Sequence, residues 1–394
     1  MSNNQPPILI KNATIHTETE KYENASLYIA NGIIQKLYVN DEVNVSDHIA
    51  VIDATNLQVI PGFIDIHIHG ANGYDVMDAT EEALDKIAFI LPQEGVTSFL
   101  ATTITQSSDN IERALENIAN YKTKPMFAEI LGVHLEGPFI NKVKAGAQPE
   151  EFITPPSITT FAKWQDIAKG SIKTITLAPE LDANGEFIHY LFENGVNISA
   201  GHTDASFGDI KSAVSLGVRQ LTHLCNAMNG IHHRDVGAVG ASFLLQELRS
   251  EIIADGVHIT PEMLHIIYEN IGSERLILIT DSMRAKYLGE GEFDLGGQKV
   301  KVDKNQALLD DGTLAGSILK MCDAVNRMLK IKGVTIQDII KMTASNPAKQ
   351  LGLFDRKGSI EPGKDADLLI IDDVSNIRYT ICRGEIAYKS NENL

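Results

Sequence analysis

His67 and His69 stand two residues apart at the end of an apolar run, FIDIHIHG. Side chains on an extended strand alternate between faces, so these two rings share one face and can grip a single cation. The pair alone says little, since two hydrogen-bonded histidines in a packed strand give the same pattern. Four further runs repeat the arrangement, placing Glu136 in AEILGVHLEG, His202 in VNISAGHTD, His223 in RQLTHLCNAM and Asp281 in RLILITDSM. Each polar residue lies towards the C-terminal end of its run. Four imidazoles and two carboxylates at matching depth suit Zn, Fe, Mn or Co far better than Ca or Mg. A cation so held lowers the pKa of bound water to about 7 and polarises a carbonyl oxygen, which is the chemistry of amide or ester hydrolysis. Asp281 is then placed to take the proton from that water and pass it to the leaving amine. The plain alternative for Asp281 is an N-cap on a following helix.

Other histidines divide by position. His134 lies two before Glu136 and points the same way, either as a further ligand or as a residue that orients the ligands from behind. His16, His48, His189 and His265 lie away from these run ends and read as ordinary surface or satisfied residues. The run His232-His233-Arg234 follows the His223 segment and concentrates positive charge, with Arg234 suited to bidentate phosphate contact.

The elements that must position these groups follow from periodicity. Between 59 and 355, apolar runs of strand length alternate with helical patterns such as 81–91 and 109–121. The runs fall at 63–70, 97–103, 128–137, 172–180, 196–204, 219–228, 250–259 and 275–283. Eight such units predict an α/β fold, a TIM-like (β/α)8 barrel, whose active-site face is the C-terminal end of its strands. A Gly-rich stretch at 290–313 predicts a hairpin insertion, and helical segments follow at 317–332 and 335–351. Residues 1–58 and 356–394 carry short strands and turns, including Ala30-Asn31-Gly32, and are expected to pair into one small β-sandwich domain built from both chain ends.

Composition bounds what the chain does. With 394 residues and 43% hydrophobic content it can bury a barrel core and a smaller domain. A formal net charge of −18 argues against a nucleic-acid partner, which needs clustered Lys and Arg. Cys225, Cys322 and Cys382 are sparse and odd in number, so neither a disulfide framework nor a cysteine zinc site is expected. No stretch reads as a secretory signal or a membrane span, which fits a cytoplasmic protein.

The ordered series HIH, HLEGPF, GHTDA, THLCNAM, DGVH, ITDSM and LAGS, closed by KGSIEPGKDADL, resembles the N-acetylglucosamine-6-phosphate deacetylases of the amidohydrolase superfamily over nearly the whole chain. That resemblance implies a metal-dependent hydrolase that removes acetate from N-acetyl-D-glucosamine 6-phosphate, in amino sugar catabolism and cell-wall precursor recycling. It implies metal ligation by Glu136, His202 and His223, proton transfer by Asp281, and a homodimer. Implied substrate contacts fall on Ala147, Gln148, Asn226, Ala227, Arg234, His258, Leu314, Ala315 and Gly316. Two departures matter. Some members lack the first-strand histidines and hold one zinc, so His67 and His69 here favour two divalent metal ions per subunit with Glu136 between them. Some also carry histidine where this chain has Gln148. Dihydroorotase-type enzymes bridge their metals with a lysine at the end of strand four, whereas Lys173 lies near the start of that strand.

Overall fold

The computed structural model describes residues 6–39, 48–372 and 375–391. All eight expected barrel strands are present, as Phe63–Ile68, Val96–Thr103, Glu129–Glu136, Ile172–Leu177, Asn197–Ala200, Gln220–Leu221, Arg249–Ile253 and Leu276–Ile279. They form one sheet in chain order with every neighbouring pair parallel. Past the eighth strand, Asp281 N donates to His67 O at 2.8 Å and His69 N donates to Ser282 O at 2.9 Å. These bonds draw the last strand against the first, giving a nearly closed (β/α)8 barrel. Every residue of Leu276–Ile279 is buried, as expected for a strand covered on both faces, and this explains its unbroken apolar run, LILI. Ser107, Ser157, Ser206 and Thr260 each accept a backbone N–H at the start of an outer helix.

Strand six is shorter than expected, two residues within the predicted 219–228. The ladder stops because His223, Cys225 and Ala227 take left-handed φ values of 31°, 80° and 49°. The chain there turns across the barrel mouth instead of continuing as strand.

The chain ends build a separate sheet in which Gln58–Pro61 runs antiparallel to Leu368–Ile371. Its Asn31-Gly32 turn has φ values of 55° and 78°, the left-handed pair that a tight hairpin requires. The sheet is continuous and folds back on itself, with Ile33 bridging Asp365 and Ile34 N donating to Lys364 O at 2.9 Å. Ile10, Ile15, Leu27, Ile34, Leu368 and Ile370 fill the space enclosed. Lys357, buried in the tail, pairs with Glu129 at 2.7 Å and with Asp365 at 2.9 Å, fastening this sheet to the start of barrel strand three.

The expected insertion is a three-stranded antiparallel sheet, Gly291–Leu295, Gln298–Asp303 and Gln306–Leu308. Gln298 Nε2 donates to Ala147 O at 2.6 Å and Gln106 Nε2 to Gly296 O at 2.9 Å, which seats the insertion on the C-terminal face of the barrel.

Candidate active site

Glu136, the last residue of strand three, is the centre of the polar cluster. Its Oε1 lies 3.3 Å from His67 Nε2, 3.3 Å from His202 Nε2 and 3.2 Å from His223 Nε2. Its Oε2 lies 3.2 Å from His69 Nε2. Asp281 Oδ1 stands 3.3 Å from His69 Nε2 and 3.5 Å from His67 Nε2. All six side chains are buried. The structure thus brings together every residue singled out at the strand ends. The cap alternative for Asp281 fails, because the next α-helix begins at Met321 behind Lys320.

Whether these residues fit a metal can be tested on their protons. His202 Nδ1 donates to Lys144 O at 2.9 Å and His67 Nδ1 donates to Glu251 Oε2 at 3.0 Å, so in its neutral form each ring turns an Nε2 lone pair towards Glu136. His67 Nε2 is buried without a hydrogen-bond partner. His202 Nε2 and His223 Nε2 stand 3.1 Å apart and face the same carboxylate oxygen. Lone pairs and carboxylate oxygens gathered in this way repel each other unless a cation lies among them. Tetrahedral ligands at roughly 2.0–2.1 Å from an ion stand about 3.3–3.4 Å apart, which matches the spacings found. Glu136 with His202 and His223, and His67 with His69 and Asp281, each form a group able to hold a metal ion.

The same contacts set the ionisation. Burial opposes charge on His69, but the adjoining Asp281 and Glu136 carboxylates raise its pKa to about 9. Burial would lift Asp281, yet His67 and His69 hold it down at about 2. Glu136 is likewise held well below the usual carboxylate range, burial being outweighed by its histidines. Both carboxylates are therefore ionised at neutral pH. Backbone strain also collects here, since His202, His223 and Asp281 have φ values of 46°, 31° and 48°.

His134 lies behind the cluster. Its Nδ1 meets Ile66 O at 3.1 Å and its Nε2 meets Thr176 Oγ1 at 2.7 Å, so neither nitrogen is free to ligate. Its ring packs edge-on against His67 at 4.5 Å between centroids, which makes it an orienting residue. His16 bonds to Gln58, and His48 is exposed.

A cavity of about 460 Å³ opens above the cluster, a volume suited to a small ligand. His69, Glu136, His202, His223 and Asp281 line its floor, and Ala147, Gln148, Asn226, Ala227, His258, Leu314 and Gly316 line its walls. His67 sits beneath the floor. Ala315 is buried in the core of the insertion rather than in the wall. Arg234 is exposed on its loop, with Nη1 2.7 Å from His233 Nε2, and does not reach this cavity. Gln148 is committed at both ends: its Nε2 donates to Glu136 Oε2 at 2.7 Å and its Oε1 accepts from Thr105 N at 2.8 Å. His258 is held by Asp255, whose Oδ2 lies 2.7 Å from His258 Nδ1.

Two residues escaped the reading of the sequence. Lys144 is the one lysine or arginine lining the cavity among the described residues, 3.7 Å from Asp204. Its sequence signal was only a basic residue close behind HLEGPF. Glu251, fully buried on strand seven, was visible as an acid inside an apolar run, SEIIADG, but its partner lies 184 positions away.

The Amidohydrolase family model matches residues 58–387. An N-acetylglucosamine-6-phosphate deacetylase from Bacillus subtilis (strain 168) is 46% identical over 390 residues, 98% of each chain. One from Lysinibacillus sphaericus is 40% identical over 98% of each chain. Among solved structures, the N-acetylglucosamine-6-phosphate deacetylase from Thermotoga maritima superposes with a TM-score of 0.87 at 33% identity, covering 97% of this chain and all of that one.

Proposed function

The chain belongs to the amidohydrolase family, and on that premise we propose that it hydrolyses the acetamide of N-acetyl-D-glucosamine 6-phosphate to D-glucosamine 6-phosphate and acetate. The observation that carries this reading is the carboxylate of Glu136 ringed by four imidazole nitrogens, with ionised Asp281 beside it, at the floor of a cavity sized for one sugar. A divalent cation held there activates water and polarises the acetamide carbonyl. Glu136, His202 and His223 would hold one such ion, and His67, His69 and Asp281 would hold a second; the donor set suits Zn, Fe, Mn or Co.

The Asp281 carboxylate accepts the proton of the attacking water as the new C–O bond forms, then returns it to the amine nitrogen as the C–N bond breaks. The neighbouring histidines keep this carboxylate ionised, as a proton acceptor must be. Gln148 fixes Glu136 through its amide while Ala147, Asn226, Ala227, Leu314 and Gly316 shape the wall around the sugar. Lys144 and His258 are the basic groups of the cavity wall that would face the 6-phosphate, and Arg234, which lies outside that wall, would reach it from the second chain of a homodimer. Among the described residues no helix is long and apolar enough to cross a membrane, in keeping with a cytoplasmic enzyme of amino sugar catabolism and cell-wall precursor recycling.

The test is acetate release from N-acetylglucosamine 6-phosphate by purified protein, before and after chelation and after metal restoration. Release that falls on chelation and returns with Zn, Fe, Mn or Co supports the assignment. A fully metal-loaded protein that frees no acetate overturns it.

A further inference from the structure

Glu251 projects into the barrel beneath the metal-binding cluster and is completely buried. Three donors converge on it. Gln220 Nε2 donates to Oε1 at 2.6 Å, while His67 Nδ1 at 3.0 Å and His223 N at 3.2 Å both donate to Oε2. Only a group that accepts and never donates satisfies all three, which is what an ionised carboxylate does. Its place is fixed from below. Gln220 Oε1 accepts from Asn197 at 2.9 Å, Asn197 Oδ1 from Gln350 at 2.6 Å, and Gln350 Oε1 from Arg249 at 2.7 Å. This chain of amides leads from the barrel floor to an arginine and leaves the Glu251 carboxylate little freedom to turn.

We infer that Glu251 is the positioning residue that makes His67 a ligand, and hence governs the second metal ion of the pair. The inference rests on the two-ion reading given above. By accepting from Nδ1, the carboxylate fixes the proton on that nitrogen and leaves the lone pair on Nε2, the atom that faces Glu136 Oε1 at 3.3 Å and Asp281 Oδ1 at 3.5 Å. An anionic acceptor also makes Nε2 a stronger donor to a cation. Nothing comparable supports His69, whose Nδ1 is buried without a hydrogen-bond partner. Control of the His67 side therefore falls to Glu251. The ion on Glu136, His202 and His223 depends on Glu251 only through the His223 backbone.

Metal content separates these roles without reference to turnover. Wild type and Glu251→Gln are stripped, then titrated with Co²⁺ or Zn²⁺ while free metal is buffered, and bound ions are counted by elemental analysis. The amide keeps the carboxylate's shape but offers one acceptor oxygen to three donors. In Glu251→Gln one of two ions should bind about 10- to 100-fold more weakly, the usual cost of losing an outer partner of a ligating histidine, with the other within about threefold of wild type. Glu251→Asp, which retains a carboxylate, should recover part of the loss. A folded Glu251→Gln protein that holds both ions as tightly as wild type overturns the inference, as does equal weakening of both ions. A wild type that binds only one ion fails differently, by removing the two-ion reading and this inference with it.

Discussion

At the scale of single residues, proton transfer and phosphate recognition separate cleanly. Asp281→Asn keeps the side chain's shape while removing its basic oxygen, so fold and metal content should survive while kcat falls about 10²- to 10⁴-fold. Near-normal turnover in that variant would move the proton-transfer role elsewhere. On the proposed function, Lys144 acts at the other end of the substrate. Replacing it with alanine leaves its backbone carbonyl, and with it the bond from His202 Nδ1. The lost ammonium should lower kcat/KM for the phosphorylated sugar about 10- to 100-fold, the worth of one charge-assisted hydrogen bond at ~1.5–3 kcal/mol. Hydrolysis of unphosphorylated N-acetylglucosamine should hardly change, and an equal fall on both substrates would refute the assignment. What the sequence disclosed at this scale depended on contrast. His67, His69, Glu136, His202, His223 and Asp281 stood out because ionisable residues interrupt runs that are otherwise apolar. Lys144 did not, since a lysine in a polar loop contrasts with nothing, and only the fold turns it towards the cavity.

The eight barrel strands were legible in number and place but not all in length, since the runs 196–204, 250–259 and 275–283 match strands of only four, five and four residues. They were misjudged where function bends the backbone. Strand six was read as ten residues because THLCNAM continues its apolar character, yet three left-handed φ values turn it across the mouth. Periodicity records which side chains are buried, and it is silent about backbone strain stored at a site. The strand-three end shows how an element and its site constrain each other. Gly137 directly follows Glu136 with φ of 72°, and a Cβ there would stand 2.0 Å from Thr105 Oγ1. Thr105 is also the residue whose backbone N–H holds Gln148, which in turn holds Glu136. Gly137→Ala should therefore cost about 1–3 kcal/mol of stability through strain alone and displace the central carboxylate. Denaturant midpoints and metal titration of the same preparation check both effects. A variant unchanged in each would show that the turn relaxes freely.

For the whole molecule, charge poses the problem to be solved. A chain of net charge −18 has to attract a sugar phosphate, and its cavity wall carries one lysine and no arginine among the described residues. Arg234, the cation that the sequence put at the barrel mouth, stands outside that cavity on an exposed loop. Beside it Ile231 is 54% exposed, and Val143 on the cavity rim is 78% exposed. If the proposed homodimer covers these side chains, Arg234 of one chain comes to the cavity of the other. Arg234→Ala should then depress kcat/KM for N-acetylglucosamine 6-phosphate while leaving the unphosphorylated sugar nearly untouched, so the two substrates converge. Mixing decides which cavity the arginine serves. An Asp281→Asn chain supplies Arg234 but cannot move the proton, and an Arg234→Ala chain has the reverse defect. In a two-fold dimer with sites completed across the interface, each heterodimer contains one site with both groups intact. Random exchange makes half the dimers mixed, so about a quarter of all sites should recover wild-type kcat/KM on the phosphorylated substrate. If each chain completes its own site, no combination of the two variants restores any, and activity stays at the weighted mean of the separate proteins.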